Sequence, residues 1–450
     1  MTRETSVVVI GGGFSGAMTA AHLAGQGIAT TVIEPGRLGR GVAYAATGHP
    51  LLLNVRASAM TALPDQPLHF ESWLERRAGA GTEPRGFAHA FVPRAMYGEY
   101  LEDTVAEVSR GGLDVIVGRA TSVVPRASGF AVRCEDGVEV RCERVVLALG
   151  NPPPRRPAGI DPGLEGYAGE PYGRLAAIEA TDPVVILGTG LTSLDVIAGL
   201  RARGHRGRIT CVSRRGLVPA AHGAPPRQLP HVPRALVRQP RLRTLLAWWR
   251  SALRDQPDEA ALIAGLRPLL PTIWRRLPLA DRARFLRHVR PRWDVLRHRA
   301  PPSVRAALDL GVADGSIEIV AGRLVGAAAV GSGLRCQIAT GQGSQARDAR
   351  WLLNCTGPER DVRRLTSPLM QSLVAHRLVA GDPLGLGVLT GPGGQLIGED
   401  GLVADAYVVG PWRMADLFEA SAVPELRHHA LETALAIIGE PAQALAHAAV

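Results

Sequence analysis

Residues 6–16, SVVVIGGGFSG, and residues 183–193, PVVILGTGLTS, decide the fold. Each is a short apolar run, rich in β-branched side chains, that breaks at a glycine turn and leads into a helix-forming stretch. The first continues through AMTAAHLAGQ to a second apolar run, ATTVIE, ending at Glu34; the second continues through LDVIAGLRARG to RITCVSRR. Two strand–turn–helix–strand units in one chain predict an α/β protein with two Rossmann-like dinucleotide-binding domains. The units are not tandem repeats, because the chain beyond the first is unlike the chain beyond the second.

The chemistry of the two turns differs in a useful way. In the first, Gly11 allows the tight turn, Gly13 lets the backbone approach a pyrophosphate, and Gly16 lets helix and strand pack closely, with Phe14 and Ser15 between them. The phosphates sit on the helix N-terminus, where backbone N–H groups serve as donors. Glu34, 18 residues past Gly16, can accept from ribose hydroxyls and repels a 2′-phosphate, so this site takes FAD or NAD. In the second turn Gly188 and Gly190 keep the spacing, and small Ser193 replaces the third glycine. Its strand ends in Arg214-Arg215 instead of an acid. Paired guanidinium bonds suit the 2′-phosphate of NADPH; the competing reading is a solvated strand end. The pair of turns implies resident FAD and exchangeable NADPH.

Composition narrows the classes further. The 450 residues suit about three domains at roughly 150 each. Glycine and proline, 52 and 34 in number, make roughly a fifth, below the roughly 25–30% of low-complexity chains. The chain contains no lysine, so its 51 basic residues are all arginine. That removes the P-loop lysine and any Schiff-base lysine. The five cysteines, Cys134, Cys142, Cys211, Cys336 and Cys355, show no CxxC spacing. They predict reduced thiols, a cytoplasmic location, no metal site and no dithiol relay. No run of 18 apolar residues predicts a membrane span. The net charge of +10 comes with only 4% aromatics and no nucleic-acid motif, so no nucleic-acid partner is expected.

Proline clusters at 152–157 and 224–233 punctuate the chain. The expected organisation is an FAD-binding domain in two parts, 1–181 and 354–450, split by an NAD(P)H-binding domain at 182–353. Residues 226–303, rich in Arg, Pro, Leu and Trp at helical spacing, are expected to be a helical insertion in the latter. RVVLALGN, ending at Gly150, and WLLNCTGP, ending at Gly357, read as the two strands that lead across the domain junction.

Seven segments carry a family resemblance over nearly the whole chain: GRGVAYAATGHPLLLNVRASAM (39–60), FVPRAMYGEYL (91–101), ILGTGLTSLD (186–195), SRRGLVP (213–219), FLRHVRPRWDVLRHRAPP (285–302), DPLGLG (382–387) and GPWRMADLFEASAVPELR (410–427). The sequence resembles bacterial FAD/NAD(P)-binding oxidoreductases grouped with L-aspartate N-monooxygenase-like and urate hydroxylase-like proteins. It is more distantly similar to ornithine and lysine N-hydroxylases. The resemblance implies that Gly41, Tyr44, Asn54 and Met60 line the flavin and that Ala120 lies near the adenine. It also implies that Gly410 and Trp412 precede a last helix, starting near Ala422, aimed at the flavin pyrimidine. Asn54 also suits a turn, and Arg94, Tyr97 and Tyr100 suit an approach to the flavin ribityl chain and helix packing equally. Arg290, Asp294 and Arg297 share a helix face that is either a basic pocket or a solvated ion-pair row.

The function implied is an NADPH-using flavoprotein monooxygenase. It would act through a flavin hydroperoxide, with molecular oxygen, on a small amino-acid or purine-like substrate, N-hydroxylation being favoured. No protein acid or base is assigned a catalytic role. The residues leave open an FAD-dependent dehydrogenase or reductase that does not use oxygen, and a non-catalytic flavin-binding protein.

Overall fold

The computed structural model describes residues 2–45, 51–79, 86–226 and 228–440. The chain opens with strand β1 (Thr2–Ile10), helix α1 (Phe14–Gly25) and β2 (Thr30–Glu34). Helix α2 (Arg94–Ser109) leads to β3 (Leu113–Val117). A hairpin of β4 (Ala120–Pro125) and β5 (Phe130–Cys134) precedes β6 (Glu139–Leu147). In this first sheet β3, β2, β1 and β6 run parallel in that order, and β5 pairs antiparallel with β6.

The second sheet is built from β7 (Tyr167–Ala168), β8 (Val184–Leu187), helix α3 (Leu191–Ala202) and β9 (Ile209–Ser213). It continues through helix α4 (Pro302–Ala313), β10 (Ile317–Val330), β11 (Gly333–Thr340), β12 (Gly343–Ala349) and β13 (Trp351–Asn354). Its order is β12-β11-β10-β9-β8-β13-β7. The chain then returns to the first sheet with β14 (Gln395–Gly398) and β15 (Gly401–Val408), the latter parallel to β6, and ends in helix α5 (Val423–Ile438).

The central strands are continuous apolar runs because both faces are covered. On one face of the first sheet α1 packs against α2 and α5; its alanines, Ala17, Ala20, Ala21 and Ala24, let the helices approach closely. On the other face lie the β4–β5 hairpin and helix Pro368–Ala375. Residues 160–178 were expected with the first domain. Ile160, Leu164, Tyr167, Ala168, Leu175 and Ile178 instead pack in the cores of the second sheet, so that unit starts nearer the proline cluster at 152–157.

The insertion is helical, running from Arg234–Arg238 to Arg290–Arg297 with a π-helical turn at Phe285–Val289. Helix α4 follows it and packs against α3 of the sheet unit. The insertion's own apolar face does not lie on the second domain. Ile263, Leu266, Leu270, Ile273, Trp274 and Trp293 form one core with Leu386, Met414, Ala415 and Phe418 of the returning chain. Trp274 stacks on Phe418 at 4.6 Å and donates its indole N–H to the Ala415 carbonyl at 3.0 Å. The insertion is therefore a strap from the second domain onto the first.

Candidate functional site

The two glycine turns occupy equivalent places. In each sheet the turn follows the strand at which the order reverses, β1 beside β6 and β8 beside β13, where open α/β sheets present a crevice. The Gly11 N–H donates to the Ile33 carbonyl at 2.9 Å, and the Gly188 N–H to the Val212 carbonyl at 2.8 Å. Both glycines have left-handed backbones, φ 100° and 103°. A methyl group at Gly11 would collide with the Ala148 carbonyl, and one at Gly188 with the Cys355 carbonyl.

Within the first turn the glycines have separate reasons. A methyl at Gly16 would collide with the Gly11 carbonyl and lie 2.7 Å from the Ala148 Cβ; this is a packing demand of the protein alone. A methyl at Gly13 would meet only Gly41, at 3.5 Å from its Cα. Gly13 and Gly41 pack backbone against backbone: a methyl at Gly41, itself at φ 51°, would lie 2.9 Å from the Gly13 Cα, so neither side of this contact carries a side chain. Gly13 caps α1 with no side-chain hydrogen bond, which leaves the first-turn N–H groups available to an anion. At the end of β2 the Glu34 carboxylate accepts from the Gly12 N–H at 2.6 Å and the Gly36 N–H at 2.9 Å. Each oxygen keeps a further acceptor position for a ribose hydroxyl. Gly410, at φ 90°, approaches the Ser15 side chain at the start of α1, and Gly150, at φ 63°, ends the crossing strand. These features fit a dinucleotide whose pyrophosphate rests on α1 and whose adenosine ribose meets Glu34.

In the second turn Gly190 likewise caps α3 without a side-chain bond, and a methyl there would meet nothing within 4 Å among the described residues. Ser193 is fully buried and donates to the Gly188 carbonyl at 2.7 Å, so the hydroxyl braces the turn. Thr189 donates to the Ser213 hydroxyl at 2.9 Å, which fixes the end of β9. Arg214 and Arg215 follow it and are exposed. Arg215 donates to the Arg287 carbonyl at 3.2 Å, whereas Arg214 has no bonded partner among the described residues.

Long-range polar contacts tie the two domains together. Arg94, at the start of α2, pairs with Asp195 in α3 at 2.7 Å, and Tyr172 donates to the same carboxylate at 3.0 Å. Arg94 also donates to the Leu52 carbonyl at 2.9 Å. His222 of the second domain bonds the Asn54 carbonyl at 3.0 Å, and Arg56 reaches back to the Gly223 carbonyl. On the strap, buried Arg297 pairs with Glu419 at 3.0 Å, and Arg267 holds Glu425 in the first turn of α5. Burial pushes the His298 imidazole down to about 4, and Arg297 beside it adds to the shift. Burial also pushes the Tyr44 phenol up to about 12.

Several residues of the segments expected to line the flavin turn inward, which for Tyr97 and Tyr100 is the helix-packing alternative. Tyr97 and Tyr100 are fully buried; Tyr97 donates to the Met60 carbonyl at 2.8 Å, and the Tyr100 hydroxyl accepts from the Ala62 N–H at 3.0 Å. Phe14 and Met60 belong to that same core, and Trp412 to the core under β14 and β15. These residues shape the site from behind. Arg290 pairs with Asp294 at 3.3 Å as the helix spacing suggests, but Arg297 leaves that row for Glu419. Ala120 opens β4, two residues past Gly118, whose N–H donates to the Glu34 carbonyl. The last helix begins at Val423 with Ala422 as its cap. Residues 46–50, within the longest resemblance segment, lie outside the described residues.

All five cysteines are free and buried. Burial pushes Cys142 and Cys211 up to about 12 and Cys336 up to about 11, so they are protonated at neutral pH. Among the described residues no cluster of three or more His, Cys, Asp or Glu is placed to hold a metal. No described helix is long and apolar enough to cross a membrane.

Residues 8–152 match the model of a family described as FAD-NAD(P)-binding. No curated protein matches the chain by sequence. The fold is shared with the ornithine N-hydroxylase of Kutzneria sp. 744, solved with reduced FAD, NADP+ and L-ornithine. That match has 14% identity and a TM-score of 0.65, covering 97% of this chain and 99% of the other. The L-lysine 6-monooxygenase of Pseudomonas syringae aligns over 99% of this chain and 100% of its own, at 17% identity and a TM-score of 0.66. The bacillithiol disulfide reductase of Staphylococcus aureus aligns over 97% and 99%, at 12% identity and a TM-score of 0.58. At these identities the likeness is one of fold: two dinucleotide-binding domains of the kind found in flavin-dependent NAD(P)H oxidoreductases.

Proposed function

We propose that this protein is an FAD-dependent, NADPH-using monooxygenase that hydroxylates a nitrogen of a small substrate. The observation that carries the reading is the pair of equivalent glycine turns with opposite chemistry beyond them. Glu34 follows the first; Arg214 and Arg215 follow the second. A carboxylate there selects an unphosphorylated ribose and guanidinium groups select a 2′-phosphate. When bound, FAD supplies hydride acceptance from NADPH and the activation of oxygen; the chain binds, orients and shields it.

The uncapped first turn of α1 receives the FAD pyrophosphate on its N–H groups, beside side-chain-free Gly13, and Glu34 accepts from the adenosine ribose. The uncapped first turn of α3 receives the NADPH pyrophosphate. The Arg94–Asp195–Tyr172 contact holds the two domains in one relative orientation. The strap of residues 234–297 packs over the returning chain and would limit water at the junction where FAD would be held. A disulfide-reducing relay is disfavoured, because every cysteine is buried and held protonated.

The test is turnover with NADPH, oxygen and a panel of amino acids and purines, read by mass spectrometry and oxygen uptake. A product one oxygen atom heavier, formed at one equivalent of NADPH, supports the reading. NADPH oxidation that consumes no oxygen overturns it in favour of a reductase.

A further inference from the structure

The buried and half-buried arginines of this protein mostly bond a carboxylate or a backbone carbonyl. Arg40 has Glu102, Arg94 has Asp195, Arg297 has Glu419 and Arg413 has Glu432. Arg282, Arg299 and Arg427 lack a carboxylate but donate to the carbonyls of Leu277, Leu296 and Thr61. Arg360 differs from all of them. Its one hydrogen bond among the described residues runs from Nη2 to the Asn151 side-chain oxygen at 2.9 Å, and its enclosed Nε bonds nothing. No carboxylate of the described residues lies within ion-pair distance of it. The charged groups that press on it are Arg290 and Asp294 of the strap, and Asp294 is already taken by Arg290 at 3.3 Å. Burial pulls the guanidinium down to about 10, which leaves it a cation at neutral pH. Arg360 is half-buried: its Nε is enclosed without a partner, while the outer edge of the fork stays open at the junction, where an anion can complete it.

Its position says which ligand. Arg360 stands three residues past Gly357, and Asn151 directly follows Gly150; the arginine therefore bridges the ends of the two crossing strands, with the strap above it. The NADPH phosphates have their own donors, the first turn of α3 and Arg214–Arg215. We infer that Arg360 is an anion-binding residue of the junction cleft and takes a carboxylate of the substrate through the free edge of its guanidinium. The planar fork suits two-point pairing with a carboxylate. This rests on the proposed function only in calling the bound carboxylate a substrate group.

The test is calorimetric titration of the purified full-length protein, supplied with FAD, using malonate, inorganic phosphate and NADP+ as separate probes. Malonate is expected to bind saturably. Arg360→Gln should weaken it by about tenfold or more, as loss of a charge-assisted bond predicts, while Arg360→Lys keeps part of the affinity. NADP+ should bind all three proteins equally, and thermal unfolding of Arg360→Gln should occur at or above the wild-type temperature. The inference is overturned if wild type shows no saturable malonate binding or if Arg360→Gln binds malonate unchanged. It is also overturned if Arg360→Gln loses NADP+ instead, which would assign the arginine to a cofactor phosphate, or if the variant unfolds, which would make the arginine structural. Because the titration needs no turnover, absence of any hydroxylated product would fail the proposed function and leave this site standing.

Discussion

Replacing Gly13 by alanine should leave the apoprotein as stable as wild type and yet deprive it of FAD. The backbone at Gly13, φ −67° and ψ −172°, is open to any residue. The new methyl would meet only Gly41, at 3.5 Å, which is ordinary contact. Loss of glycine freedom in the unfolded chain even favours the variant by about 0.4–1 kcal/mol. The same methyl stands at the N-terminus of α1, where the pyrophosphate must approach the N–H groups of the first turn. Losing one charge-assisted bond there costs about 1.5–3 kcal/mol, roughly ten- to hundredfold in affinity; Gly13→Val should abolish FAD retention. Gly16→Ala is the contrast. Its methyl collides with the Gly11 carbonyl and crowds the Ala148 Cβ at 2.7 Å, so helix and strand must part. That overpacking costs about 1–3 kcal/mol with or without FAD. Thermal unfolding of the apoproteins and fluorescence titration with FAD measure both quantities. If Gly13→Ala destabilises the apoprotein as much as Gly16→Ala, or binds FAD like wild type, the turn is structural and the assignment fails.

In Arg214→Ala/Arg215→Ala the KM for NADPH should rise about ten- to hundredfold and that for NADH far less; steady-state flavin reduction decides, and equal weakening of both would place the arginines on a shared group. Asp195→Ala leaves half-buried Arg94 with no carboxylate, only the Leu52 carbonyl and the Tyr172 hydroxyl, and should cost about 3–5 kcal/mol in denaturant unfolding; a loss below about 1 kcal/mol would mean that the pair does not clamp the domains. His298 is neutral in the folded protein, its pKa lowered to about 4 from an ordinary 6.5, whereas the unfolded chain takes up a proton near 6.5. The His298 share of the stability should therefore fall as pH drops from about 6.5 to about 4 and level off below, where the paired carboxylates Glu102, Glu318 and Asp361, held below their ordinary range, lose theirs; His298→Gln should flatten the upper part of the fall. Melting temperature against pH reads this; an unchanged slope would refute it.

The parts of this account legible in the sequence are local ones. Gly11, Gly16 and Gly188 could be read from their spacing in a turn, though the Ala148 and Cys355 carbonyls that exclude a side chain at Gly11 and Gly188 lie more than a hundred residues away, and Glu34 could be read from its place at a strand end. Ser193 could be read as a tolerated third position, though its bond to the Gly188 carbonyl could not. The strap was legible as helices, but its docking on Ala415 and Phe418 depends on partners more than a hundred residues away. The same distance hid the pairing of Arg94 with Asp195 and of Arg297 with Glu419, because arginine-rich segments offer many equivalent partners until the fold chooses. Tyr97, Tyr100 and Trp412 sit in segments that line a site, and local spacing does not reveal that their rings turn into the core behind it. Strand β7 is only two residues long, too short for periodicity to mark, so the second domain begins earlier than composition suggests.

The central claim, one resident FAD reduced by NADPH across a fixed domain junction, is tested most directly by anaerobic mixing. Protein supplied with FAD and freed of excess flavin is mixed with NADPH, and with NADH separately, while the visible flavin band is followed. The account predicts bleaching by NADPH at far lower concentration than by NADH, with the preference lost in Arg214→Ala/Arg215→Ala. Protein that retains no FAD, or that holds FAD which neither nicotinamide bleaches, would contradict it.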